Sequence, residues 1–246
     1  MTHDPTPSQL QALAATAISQ PLVRHIYTAD PSAHVFDGQL YIYPSHDIDA
    51  GIPFNDLGDH FGMRDYHVLR LDSADGDATD CGVALHIDDV PWAERQMWAP
   101  DVACRDGRYY LYFPAKSADG RFRIGVAVAG HPAGPFVPEP EPIRGSYSID
   151  PAAFVDDDGA CYLYFGGLWG GQLQSYRDNA HDPSLGEPAD GMPALGPRVA
   201  RLDASMKAFD ESPREVRIVD ADGRPLRADD HDRRYFEGPW VHRHAG

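Results

Sequence analysis

Three carboxylates in this chain share one chemical context: Ala29-Asp30-Pro31, Ile149-Asp150-Pro151 and Phe236-Glu237-Gly238-Pro239. Each precedes a proline or Gly-Pro that stiffens the chain, and a proline biases the residue before it toward extended geometry. Each also keeps nearly the same interval to a following glycine: eight residues from Asp30 to Gly38, nine from Asp150 to Gly159, nine from Glu237 to Gly246. Acids at one position of successive repeats converge on one site. Like charges at close range raise one another's pKa, so one carboxyl can donate a proton while another stays ionised as a base. A single Asp-Pro is more often a turn opener; two copies plus Glu-Gly-Pro in one register argue for chemistry. Asp101 lies only six residues before Gly107 and is read as structural. Its neighbour Trp98 has two readings, an indole that stacks on a sugar ring or a core residue.

The glycines open a repeated Gly-x-x-Tyr-x-Tyr pattern at Gly38 to Tyr43, Gly107 to Tyr112 and Gly159 to Tyr164. Side chains alternate along a strand, so each tyrosine pair shares a face, and packing between stacked sheets is its ordinary role. Short runs rich in β-branched and aromatic residues, including 40–43, 66–71, 109–113, 122–129, 162–165 and 216–219, predict strands. Asp37-Gly38, Asp106-Gly107, Asp158-Gly159 and Asp222-Gly223 predict the tight turns between them. The chain reads as all-β, its meanders repeated as propeller blades. The copies are spaced wider than the roughly 40–45 residues of a compact blade, which places insertions at 44–64 and 172–197. Residues 1–20 form an N-terminal arm or short helix, centred on 9–18, and 21–246 the propeller.

A formal net charge of −17 argues against nucleic acid or anionic membrane as partner and permits a neutral ligand such as a sugar. The 3 cysteines have no metal-site spacing. The aspartates of 72–80 and 156–158 lack the spacing of a calcium loop and are read as turns, and no metal site is expected. His242 and His244 are read as ordinary strand-face residues. The N-terminus lacks a basic segment followed by an apolar one, and no apolar run approaches a membrane span, so the expectation is a soluble, cytoplasmic protein.

The set Ala29-Asp30-Pro31-Ser32, Tyr43-Pro44-Ser45-His46-Asp47, Trp98-Ala99-Pro100-Asp101, Ser148-Ile149-Asp150-Pro151, Tyr164-Phe165-Gly166-Gly167 and Phe236-Glu237-Gly238-Pro239-Trp240 resembles glycoside hydrolase family 43 in content and order. The resemblance runs from about residue 21 to 246. It implies a five-bladed propeller and an inverting exo-glycosidase that releases terminal xylose or arabinofuranose from plant-type oligosaccharides. By motif position it implies Asp30 as general base, Asp150 as the residue that tunes and orients the acid, and Glu237 as general acid. Asp150 is expected to raise the pKa of Glu237 by repulsion. Ser45, His46 and Asp47, just after the first inner strand, are expected to hydrogen-bond sugar hydroxyls beside Trp98. Family members continue into a fifth blade with a substrate-contacting arginine and a histidine that helps hold a central calcium, so this sequence is expected to stop within the fourth blade, without that ligand region and with no required cofactor. Two alternatives stand: a retaining, fructosidase-like propeller, and a non-catalytic sugar-binding propeller.

Overall fold

The computed structural model describes residues 6–244. Met1 to Pro5, the start of the expected arm, and Gly246, the last glycine of the repeat, lie outside the described residues. An α-helix, α1 (Pro7–Thr16), occupies the arm, and the rest of the described residues are strands and loops with three single-turn 3-10 helices. Strands β1 (Tyr27–Phe36), β2 (Gln39–Asp47), β3 (Asp65–Leu71) and β4 (Thr79–His86) form the first sheet; β5 (Asp101–Arg105), β6 (Arg108–Lys116), β7 (Phe122–Ala129) and β8 (Val137–Pro138) form the second. A third joins β9 (Ala152–Val155), β10 (Cys161–Phe165), β13 (Arg198–Arg201) and β14 (Arg214–Glu215), with a small hairpin, β11 (Tyr176–Arg177) and β12 (Ala180–His181), inside its long insertion.

Each large sheet is an antiparallel meander. Their first strands adjoin one another, β1 against β5 and β5 against β9, as the inner strands of a propeller do around its axis. Acids within β1 and just before β9 are thereby brought to one end of the axis. The described residues contain three such sheets rather than five, and 216–244 carry no named strand. The run 216–219 is extended only locally: Ile218 and Val219 are exposed, so there is no buried face to hold a strand, and a single bridge joins Val219 to Pro225. His242 and His244 likewise stand outside any strand.

Alternation along β6 divides the core. Tyr109, Leu111 and Phe113 pack with Tyr41, Tyr43 and Tyr66 of the first sheet, while Tyr110 and Tyr112 pack with Leu163 and Phe165 of the third. In the first two repeats the tyrosine pair therefore faces the following sheet. Tyr162 and Tyr164 hold the same position on β10 but are only half-buried, because Cys161, Leu163 and Phe165 take the face toward the second sheet. The last tyrosine of the first two repeats also makes a polar tie. Tyr43 Oη donates to Pro132 O at 2.8 Å and Tyr112 Oη to Met206 O at 2.9 Å, each reaching a loop of the next sheet.

Removing such a hydroxyl leaves a buried carbonyl without its donor, at a cost of about 1–3 kcal/mol. Tyr43→Phe and Tyr112→Phe are each expected to lower unfolding free energy in urea by about that amount, with Tyr164→Phe within about 0.5 kcal/mol of the parent.

Candidate active site

Asp30, Asp150 and Glu237 line one cavity of about 610 Å³, together with Asp47 and Trp98. Asp30 is carried there by a β-bulge. Ala29 pairs with Ser45 and Ser32 with Tyr43, so β1 has one residue more than β2 between those pairs, and a bulge re-aims the side chain it carries. The Asp30 backbone has φ +46° and Asp150, just before β9, φ +55°. Both stand in the left-handed region rather than the extended geometry expected before proline. Aspartate tolerates that region better than most residues, and the proline restriction chiefly excludes the right-handed helical alternative.

Glu237 comes from a loop, and its position depends on close backbone approach. Gly238 N donates to Asp150 Oδ2 at 3.0 Å, Leu168 N to Phe236 O at 2.9 Å, and Tyr235 Oη to Gly166 O. Gly167 lies between: a Cβ there would stand 2.7 Å from the Ile149 side chain and 3.1 Å from Glu237 Cβ. Ser148 Oγ donates to Gly171 O at 2.6 Å and accepts from Gly167 N at 3.0 Å, so the residue two before Asp150 fixes the same glycine loop.

No lysine, arginine or histidine among the described residues forms an ion pair with any of the three acids. Asp30 and Glu237 meet water through the cavity and Asp150 sits deeper. Partial desolvation and then the Asp47 carboxylate push Asp30 above the ordinary aspartate value. Glu237 is raised by desolvation and then by Asp30. Asp150 is raised furthest, by desolvation first and the Glu237 charge second, with the Gly238 N–H opposing. Asp150 and Glu237 thus repel each other as a coupled pair, and Asp30 adds to the repulsion at Glu237.

Of the other expected site residues, Asp47 and Trp98 line the cavity. Trp98 is a wall rather than an open stacking face: it is 9% exposed, its Nε1 donates to Phe61 O at 2.9 Å, and its ring centroid lies 4.8 Å from that of Phe122. Ser45 is fully buried and donates to Ala29 O at 3.0 Å, bracing the bulge instead of meeting a ligand. His46 projects from the other face of β2, with Nδ1 3.1 Å from Asp65 Oδ1. Period-2 alternation explains the split, since Asp47 and His46 cannot both face the cavity. Asp101 bonds His34 at 2.6 Å and accepts from Ala153 N at 2.7 Å, joining β5 to β9.

Sequence reasoning passed over Phe61, Trp169 and Phe236. The insertion at 44–64 brings Phe54, His60 and Phe61 to one wall, and Trp169 and Phe236, 5.1 Å apart edge to face, form another. The available signal was the glycine-rich Gly166-Gly167-Leu168-Trp169-Gly170-Gly171 directly after a strand. Among the described residues one group of three potential ligands lies close together, His46, Asp65 and His67. Its two imidazoles do not fit calcium, which takes oxygen donors.

The left-handed backbone at Asp30 has a measurable consequence. A Cβ costs about 1 kcal/mol there relative to glycine, so Asp30→Gly is expected to be more stable than Asp30→Ala by about that amount in urea unfolding. Equal stabilities would contradict the strained bulge.

Comparison with known proteins agrees with this geometry. The model of the family "Glycosyl hydrolases family 43" matches residues 20–246. A xylosidase/arabinosidase of Humicola insolens is 58% identical over 235 residues, 92% of this chain and 72% of the relative. One from Bacteroides ovatus is 55% identical over 226 residues, covering 92% and 70%. Among solved structures, a β-xylosidase/α-arabinofuranosidase from a compost microbial metagenome, in complex with xylotriose in a calcium-free form, superposes with TM-score 0.90 at 61% identity, covering 92% of this chain and 70% of that one. A Xanthomonas citri enzyme of the family, complexed with xylotriose, gives 0.89 at 66% identity over 96% and 69%. Family-model match, sequence identity and superposition agree that this chain is a glycoside hydrolase belonging to family 43.

Proposed function

We propose that the chain is an inverting exo-glycosidase that removes terminal xylose or arabinofuranose from xylan-type oligosaccharides. The observation that carries this reading is the convergence of Asp30, Asp150 and Glu237 on one cavity with the pKa values of all three raised. Relatives named for both pentoses, and complexes of similar enzymes with xylotriose and xylose, support the substrate class.

Inversion needs a base that activates water on one face of the sugar and an acid that protonates the leaving oxygen on the other. Asp30, the base in this reading, is on the bulge of β1 beside Asp47. Glu237, the acid, is on the loop pinned to Asp150. The nucleophilic water loses its proton to Asp30 as its oxygen bonds the anomeric carbon; the glycosidic bond breaks and the leaving oxygen takes the Glu237 proton. Asp150 holds the loop through Gly238 N–H and, by repulsion within the pair, favours the protonated form of Glu237. Walls on both sides of the cavity, 54–61 and 168–171, suit the enclosure of a chain end. A bound sugar displaces water and strengthens the fields among the carboxyls.

Turnover requires Asp30 ionised and Glu237 protonated, giving a bell-shaped pH profile. The acid limb is expected above the ordinary aspartate range, because the Asp30 pKa is raised. Asp30→Asn and Glu237→Gln are expected to lower kcat/KM on aryl β-xylosides about 10²–10⁴-fold, and Asp150→Asn to move the alkaline limb to lower pH. Unchanged turnover in the first two would overturn the assignment. NMR of the first product from a β-xyloside should show α-xylose; β-xylose would overturn inversion and favour the retaining alternative.

A further inference from the structure

The outer face of the first sheet carries a second polar cluster, separate from the sugar cavity. Asp65 and His67 are two apart on β3 and share a face, and His46 on β2 stands beside them. The β3–β4 register shifts on both sides of His67, with the extra residues on β4, the strand that carries Asp80. His67 Nδ1 lies 3.0 Å from both carboxylate oxygens of Asp80, and Asp80 is held in turn by Gly82 N at 2.8 Å and His25 Nε2 at 2.7 Å. Asp80, expected in a turn, is therefore a strand residue of β4 with three partners.

This arrangement fixes a tautomer. An ionised carboxylate only accepts hydrogen bonds, so the neutral His67 ring carries its proton on Nδ1 toward Asp80 and presents the Nε2 lone pair on its other side. That lone pair faces Asp65 Oδ1 at 3.5 Å, acceptor against acceptor. His46 Nδ1 faces the same oxygen at 3.1 Å. One ligating atom from each of the three residues lies within 4.8 Å of the others. Ligand separations of 3.1 and 3.5 Å bracket the ~3.3 Å edge of a tetrahedron whose bonds are about 2.0–2.1 Å long. A carboxylate behind a ligating histidine is the usual outer partner of such a metal.

We propose that His46, Asp65 and His67 form a binding site for a first-row divalent cation of the zinc type, with Asp80 orienting His67. Two imidazoles and one carboxylate are donors for zinc and its neighbours. Binding moves the proton of His46 from Nδ1 to Nε2 or releases it to solvent, and ties β2, whose Asp47 lines the sugar cavity, to β3.

The test uses the full chain, freed of metal with a chelator and titrated with Co²⁺ while its visible d–d absorption is recorded, followed by displacement with Zn²⁺. The expected result is saturation at one equivalent. Asp80→Asn is expected to weaken binding about 10- to 100-fold, and His46→Gln with His67→Gln to abolish the bands. Excess Ca²⁺ should leave them intact. Absence of saturable binding by the wild-type chain overturns the site, as does equal binding by both variants or displacement by Ca²⁺ at concentrations comparable to Co²⁺. The wild-type titration and Asp80→Asn decide the matter even if circular dichroism shows the double variant unfolded.

Discussion

Three carboxyl groups that repel one another are held around one cavity with no cationic partner among the described residues, and much of the local structure serves that end. Charge compensation would quench the chemistry: an arginine beside Glu237 would favour its ionised form and remove the proton it must donate. The acids are held instead by neutral backbone groups. A bulge braced by Ser45 carries Asp30, and Gly238 N–H fastens Asp150 to the Glu237 loop. Glycines at 166 and 167 let that loop lie against Ile149. The left-handed backbone at Asp30 and Asp150 shows that part of the strain is local.

Rigidity for such a site comes from the repeat. Tyr43 and Tyr112 occupy one position of successive copies, and each joins its sheet to a loop of the next by apolar packing and one hydrogen bond. Because the first strands of successive sheets adjoin, acids placed before or within those strands meet at one end of the axis. The same construction leaves Asp101 as a strut between β5 and β9, two positions away from the catalytic register.

Much of this was legible in the residues. Repeated glycines and tyrosines announced stacked antiparallel sheets, and the shared register of Asp30, Asp150 and Glu237 anticipated their convergence. What stayed hidden depended on geometry that sequence patterns do not encode. Strand alternation near a bulge decides that Asp47 enters the cavity while His46 turns outward, and the bulge itself has no motif. The walls come from insertions whose aromatic residues gain meaning only once the loops fold over the axis. The 216–219 run has strand-like composition but no surface to cover it, so burial overrode propensity. The His67–Asp80 pairing joins β3 to β4 through an irregular register, which spacing alone does not reveal.

Carboxyl-detected ¹³C NMR titration of the free chain, with Asp30, Asp150 and Glu237 assigned through single amide variants, tests the central claim most directly. The account predicts that Asp150 keeps its proton well above the ordinary aspartate range and that Glu237 and Asp30 titrate above their ordinary values. Titration of all three at or below the usual values of about 3.9 for aspartate and 4.3 for glutamate would contradict it.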